Sequence, residues 1–344
     1  MSTLIERVTG SRLGGTSEQS IRLGLGIIRL GPVLILLLLV MVMTLLSPVF
    51  FSVANVSNVV VQTSVLAVLA IGQLFVILVA GIDLSIGSVL GLATVTGAIA
   101  YTFNQTAGGF FSIAIILLTG MAVGWLNGFL YVKGKMPHSF IPTLATLYAA
   151  RGLALVISDG RPIPGVSPVV VFLGSGYIGP IPMPAIVVIV LAAIAIVVTK
   201  RLKWGRWVYA VGGDKEAARR TGIPVDRVLI SVFVISGLMA GFAGLLTSGR
   251  TDAGFPTAGE LSELTAIAAV IIGGASFFGG RGSVINVIVG ALIIGVIQNG
   301  LNLLNVNVYY QLVATGAIVI IAVELDVLRR RLEERFRSLQ AREA

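Results

Sequence analysis

Apolar runs of about 20 residues recur along nearly the whole chain, each long enough to cross a hydrocarbon core of roughly 30 Å as a helix. They predict ten spans, at 31–51, 59–80, 84–103, 110–132, 139–157, 181–199, 228–247, 264–278, 283–304 and 308–324. None of the ~10-residue segments of alternating polarity that mark a transmembrane barrel interrupts them. The pattern predicts an all-α polytopic membrane protein whose backbone hydrogen bonds are satisfied within its helices. One stretch breaks the pattern. Gly205 to Arg227, reading GRWVYAVGGDKEAARRTGIPVDR, is a charged island between the sixth and seventh spans.

Composition and charge then orient the bundle. With 56% hydrophobic and 11% charged residues over 344 positions, the chain is excluded from the ordinary soluble class. It has no cysteine and a single histidine, His138, so disulfides and thiolate or histidine-rich metal sites are excluded and no metal site is predicted. Of 24 lysines and arginines, 21 fall in the N-terminal arm, the Lys133–Lys135 turn, the 200–227 loop that contains the island, the Arg281 turn and the C-terminal tail. The opposite loops hold only Arg161 and Arg250, and Arg151 lies inside a span. The positive-inside rule therefore places both termini and the island in the cytoplasm. The net charge of +9 reflects this topology and contact with anionic membrane lipid, and implies no nucleic-acid partner. The chain divides into an arm at 1–30, a transmembrane region at 31–326 with a cytoplasmic loop at 200–227, and a basic tail at 327–344.

Polar residues inside spans are costly and tend to face a protein interior or a watery path. Asp83 joins the second and third spans near the cytoplasmic level, where its carboxylate can cap the third span, with a gating role as the alternative. Arg151 flanks a face formed by Ser139, Thr143 and Thr146, as a structural cation or a path residue. Gln298, Asn302 and Asn305 form a carboxamide stripe with Asn299 beside it. Amides both donate and accept, which suits sugar hydroxyls, and interhelical hydrogen bonding explains them equally well. Gln73 and Asn127 are further candidates for a translocation path.

Within the island, Asp214 is placed to cap a helix from Lys215 to Thr221, which Gly222 ends in the left-handed conformation. Two turns are not stable alone in water, so a partner surface is expected to hold them. The predicted outward face mixes Glu216, Arg219 and Arg220 with the small Ala217 and Ala218.

The segment Tyr209 to Ile223 resembles the coupling loop of the ribose-type permeases of bacterial ATP-binding-cassette sugar importers, whose pattern is close to YAIGGN-EAAR-SGI. AGIDLSIGS (Ala80 to Ser88), FIPTLATLYAARGLALVISDGRPI (Phe140 to Ile163) and IIGGASFFGGRGS (Ile271 to Ser283) resemble the same family, in order, between Gly31 and Asp326. The resemblance implies an inner-membrane complex of two permease subunits, cytoplasmic ATPase partners that hold ATP and magnesium, and a periplasmic or extracellular sugar-binding protein. It implies that Asp214, Lys215, Glu216, Ala217, Ala218, Arg219, Arg220 and Gly222 dock the ATPase and relay its closure to spans six and seven. It also implies that the outer loops, with Asp159, Arg161, Arg250, Asp252, Glu260 and Glu263, receive the binding protein. No cofactor is expected in this chain: it has no G-x-x-x-x-G-K-[ST] phosphate loop, and Gly134-Lys135 is followed by Met136. The expected function is uptake of a pentose-like monosaccharide.

Two alternatives stay open. Permeases for nucleosides or branched-chain amino acids share the span pattern. An ion-coupled secondary transporter would carry intramembrane carboxylates or broken helices, and the placing of Asp83 and Glu324 near membrane edges counts against it.

Overall fold

Seven helices among the described residues are long and apolar enough to cross a membrane. The computed structural model describes residues 31–103 and 108–318, with single positions 320, 321, 323, 324 and 327 beyond them. The arm at 1–30 and the tail after 327 lie outside the described residues. The seven are α2 (Val53–Leu78), α3 (Ile86–Phe103), α4 (Gly108–Lys133), α5 (Phe140–Ile157), α7 (Met183–Arg201), α10 (Val225–Thr251) and α12 (Val284–Leu303). Two shorter apolar helices, α1 (Gly31–Leu46) and α11 (Ser262–Ile272), occupy the first and eighth predicted spans, and residues 308–318 are helical in the tenth. The multi-pass, all-α class holds. Of the ten predicted spans, seven are matched by helices of crossing length among the described residues, and α11 in the eighth has 11 residues, about 16 Å at 1.5 Å per residue.

α2, α3 and α10 form the buried centre, while α4, α5 and α7 leave most of their apolar side chains on the outside. Lipid solvates such faces as well as protein does, so helix association rests on close packing. α4 and α10 run antiparallel along a seam of small residues. A Cβ on Gly120 would strike the Gly237 carbonyl, and one on Gly237 the Gly120 carbonyl. Backbone-to-backbone contact of that kind needs glycine on both sides.

At one end of the bundle gather the basic residues Lys133, Lys200, Arg201 and Lys203 with α8 (Lys203–Gly213) and α9 (Lys215–Arg220). This is the basic end. At the far end lie α6 (Pro168–Ser175) and four two-residue strands: β1 (Ile163–Pro164), β2 (Tyr177–Ile178), β3 (Ile181–Pro182) and β4 (Ala253–Gly254). β1 pairs antiparallel with β4, and β2 with β3. Asp252 secures the first pairing: Gly165 N donates to its carbonyl (2.8 Å) and Val166 N to its carboxylate (3.0 Å).

Candidate functional site

Two segments leave helical form inside the bundle and meet there. After α2 the chain turns back as a non-helical stretch over 81–85 before α3 begins at Ile86. After α10 it descends from β4 and resumes as α11 at Ser262. Their helix N-termini come together, with Gly87 of α3 packed against the Gly259 carbonyl and the Glu263 carboxylate, so a side chain at Gly87 has no room. Irregular backbone at membrane depth is tolerated only where protein groups satisfy it, and α5 supplies them. Ser139 Oγ accepts from Ile82 N (2.9 Å) and donates to Ile82 O (3.1 Å), and Thr143 Oγ1 donates to the same carbonyl (3.3 Å).

Asp83 is the anchor of the non-helical stretch. Its Oδ1 accepts from Ser85 N (2.9 Å) and Ser85 Oγ (2.6 Å), and its Oδ2 from Ser236 Oγ (2.8 Å). Asn127 Nδ2 donates to Ser85 Oγ (2.8 Å), and Thr146 Oγ1 to Asn127 Oδ1 (2.6 Å). The chain of bonds ties α4, α5 and α10 to one carboxylate. Ser236 lies eleven residues past the start of α10, roughly 16 Å along its axis. Asp83 is therefore buried well inside the bundle rather than near its edge; it accepts one backbone N–H, that of Ser85 immediately ahead of α3, together with the hydroxyls of Ser85 and Ser236.

Arg151 holds the second segment. Its Nη1 donates to the carbonyls of Pro256 and Ala258 (2.9 Å to the latter), and Glu260 and Glu263 act on it electrostatically. Glu263 is buried in the first turn of α11, where a carboxylate complements the helix dipole. Glu263 is thus removed from the outer surface predicted for it, because the chain beyond Asp252 turns inward, whereas Glu260 stays exposed. Asp159, Arg161, Arg250 and Asp252 remain exposed at the far end.

The carboxamide stripe divides. Asn299 is buried in a reciprocal pair with Asn55, at 2.9 Å in each direction. Asn302 accepts from Gln311 Nε2 at 2.8 Å. Gln298 instead lines a cavity of about 450 Å³ between α2, the start of α11, α12 and the helix at 308–318. Gln62, Glu260, Thr265 and Thr315 also face it. Sequence reasoning missed Gln62 and Glu260 as cavity residues. Gln62 lies eleven residues before Gln73 on α2, a spacing that puts both on one helix face.

At the basic end, Asp214 caps α9 by accepting from Glu216 N (2.9 Å) and Ala217 N (3.0 Å), and Gly222 follows at φ 83°. Lys215 Nζ donates to Tyr131 OH (2.9 Å), and Arg219 pairs with Asp226 at 3.3 Å. Glu216, Ala217, Arg219 and Arg220 are exposed, whereas Ala218, expected on the outer face, is buried against the bundle. α8, hidden in the sequence by its charges, buries Gly205, Val208 and Val211 and lies across the end of α2. Gly212 sits against the Leu78 carbonyl, and Tyr209 OH donates to Gly282 O (2.9 Å). Burial pushes the Tyr209 hydroxyl pKa up, which keeps it a donor.

The family profile of the branched-chain amino acid transport system permease component matches residues 55–323. The ribose import permease protein of Haemophilus influenzae is 42% identical over 296 residues, covering 85% of this chain and 90% of the relative. The D-allose transport system permease protein of Escherichia coli is 43% identical over 302 residues, covering 87% and 91%. The xylose transport system permease protein of Haemophilus influenzae is 33% identical over 343 residues, covering 82% and 91%. No solved structure matches the chain.

Proposed function

The chain belongs to the branched-chain amino acid transport system permease component family, and we propose that it is the membrane subunit of an ATP-driven importer that takes a pentose-like monosaccharide, such as ribose, into a bacterial cytoplasm. The similarity to permeases named for ribose, allose and xylose supports the substrate class. The observation that carries the mechanism is α9. Six residues form no stable helix alone, yet this one is capped at both ends, tied to α4 and α10, and turns Glu216, Ala217, Arg219 and Arg220 outward. In this reading the basic end faces the cytoplasm, α9 sits in a cleft of a separate ATPase that binds ATP and magnesium, and α8 passes the motion to the end of α2 and the 279–282 turn. The far end, with Asp159, Arg161, Arg250 and Asp252, receives a sugar-binding protein. A second permease subunit, identical or related, completes the membrane part in the bacterial inner membrane.

The test is uptake by the full complex in proteoliposomes. Glu216→Arg and Ala217→Trp are expected to insert normally but to lose uptake by about tenfold or more, a loss within ordinary coupling free energies. Coupled uptake unchanged in both variants would remove α9 from the coupling role. The depth of Asp83 and Glu263 gives the ion-coupled alternative a specific basis. The chain alone in liposomes is expected to accumulate no sugar under a proton or sodium gradient, and accumulation there would replace the ATP-driven reading with the ion-coupled one.

A further inference from the structure

The cavity beside α11 is of a size for a small polar solute: about 450 Å³ lies in the lower part of the roughly 300–1,000 Å³ range of small-molecule pockets. Its walls are mostly apolar, with Leu66 and Leu69 from α2, and carry a few converging polar groups, notably Gln62, Glu260, Thr265 and Gln298. Amides and a carboxylate at such a wall can bond vicinal hydroxyls while the apolar surface meets the faces of a sugar ring.

The α2 wall does not end with the cavity. Gln62, Leu66, Leu69 and Gln73 follow one another at spacings of four, three and four, so Gln73 continues the same face about 6 Å nearer the basic end. Gln73 is fully buried, and neither its Nε2 nor its Oε1 has a hydrogen-bond partner among the described residues. A buried amide with nothing to bond destabilises the state that contains it, and such groups are rare in folded proteins. Thr63 and Ser248 also bury a polar atom without a partner among the described residues, but each is a single hydroxyl off this face. Gln73 brings two donor hydrogens and a carbonyl to the point where the lined face leaves the cavity.

We propose that the cavity and Gln73 form two successive sugar stations in this subunit: Gln62 and Gln298 bond the hydroxyls of a monosaccharide at the mouth, and the Gln73 amide takes them over as the solute moves inward past Leu69. The proposal rests on the monosaccharide reading above. It explains why an amide unmatched in this conformation stands on the line of the cavity, since the migrating hydroxyls supply its partners. The two stations act on different steps. The mouth sets how readily sugar is captured, and Gln73 sets how fast captured sugar crosses.

Gln73→Met and Gln73→Leu, each apolar and of similar volume, test this in the complete complex with its ATPase and binding protein. Both are expected to unfold at a midpoint equal to or above wild type, because they remove an unpaired amide, while maximal uptake falls about tenfold, as for an interaction made only during crossing. Gln62→Met with Gln298→Met is expected to raise the half-saturating sugar concentration with little change in maximal rate. A deoxy sugar that wild type carries more slowly than its parent should lose that disadvantage in Gln73→Met if the missing hydroxyl is the one Gln73 bonds. Wild-type rates and an unchanged ranking of deoxy sugars in both Gln73 variants would overturn the proposal, as would a loss of folding in both, which would make the amide structural. Failure of the underlying reading looks different: the wild-type complex itself would then carry no monosaccharide, and the two stations would fall with it.

Discussion

Alanine in place of Asp83 is expected to abolish uptake and to destabilise the protein by about 3 to 5 kcal/mol, because it strips the acceptor from three buried donors at once. Ser85 N, Ser85 Oγ and Ser236 Oγ all end on this carboxylate, and behind them Asn127 and Thr146 lose their order. Hydrogen bonds between neutral side chains in membrane bundles average only about 0.6 kcal/mol. The acceptor here takes three hydrogen bonds at once and is enclosed by protein, so its loss leaves several buried donors unsatisfied together, at about 1 to 3 kcal/mol each. Uptake should fall on the order of 100-fold or more, since the non-helical 81–85 stretch fixes where α3 begins and small misplacements cost that much. Asp83→Asn separates shape from charge. Its carbonyl oxygen still accepts from Ser85, and the Ser236 hydroxyl can turn to accept from the new amide, so most of the stability should return. Thermal unfolding of the purified protein and uptake in proteoliposomes read the two effects. Wild-type stability in Asp83→Ala would show that the network does not hold the segment, and an Asn variant that is stable yet inactive would assign transport to the charge itself.

The depth of Asp83 is also where sequence reasoning met its limit. Long apolar runs name helices reliably because nothing else covers a 26-residue backbone in lipid, and α2, α4 and α10 stand where hydropathy places them. Cap chemistry is equally local, so Asp214 and Gly222 bounded α9 to within a residue. Re-entrant segments escape both signals. The sequence places the join at 81–83 between two spans, but hydropathy carries no depth, so the join falls at the cytoplasmic level in that reading although the non-helical stretch lies inside the bundle. α11 fails for another reason: its 11 residues sit in a longer apolar run that looks like a full crossing. Gly254, Pro256 and Gly259 ahead of it were the available sign that the chain bends rather than surfaces. Helical spacing showed that Ser139, Thr143 and Thr146 share a face, but not that Ser139 and Thr143 meet the non-helical stretch some sixty residues earlier, Ser139 meeting Ile82 across 57 residues, while Thr146 meets Asn127 of α4. Asn299 meeting Asn55 across 244 residues is the same limit at greater range.

Methionine at position 151 is the second substitution with a large expected effect, and its logic runs through Glu263. Arg151 spans two tasks, bonding the Pro256 and Ala258 carbonyls of the inward loop and balancing Glu260 and Glu263. Arg151→Met removes both: the Pro256 and Ala258 carbonyls lose a charged donor and Glu263 loses the cation that acts on it, and hydrogen bonds to a charged group of this kind are worth about 1.5 to 3 kcal/mol. Uptake is expected to fall on the order of 100-fold as the start of α11 loses its position. Lysine keeps the charge but replaces a planar fork with a single ammonium, so it should recover only part of the loss. The decisive variant is Arg151→Met with Glu263→Gln. If the damage comes chiefly from an orphaned carboxylate, removing that charge restores part of the stability, with a coupling energy of about 0.5 to 3 kcal/mol in a double-mutant cycle. If it comes chiefly from the lost carbonyl bonds, the double variant is no better than Arg151→Met alone. Partial rescue would make the meeting of α3 and α11 an electrostatic joint, with the Glu263 carboxylate set against two helix N-termini and one guanidinium, and no rescue would make Arg151 a mechanical strap on the loop.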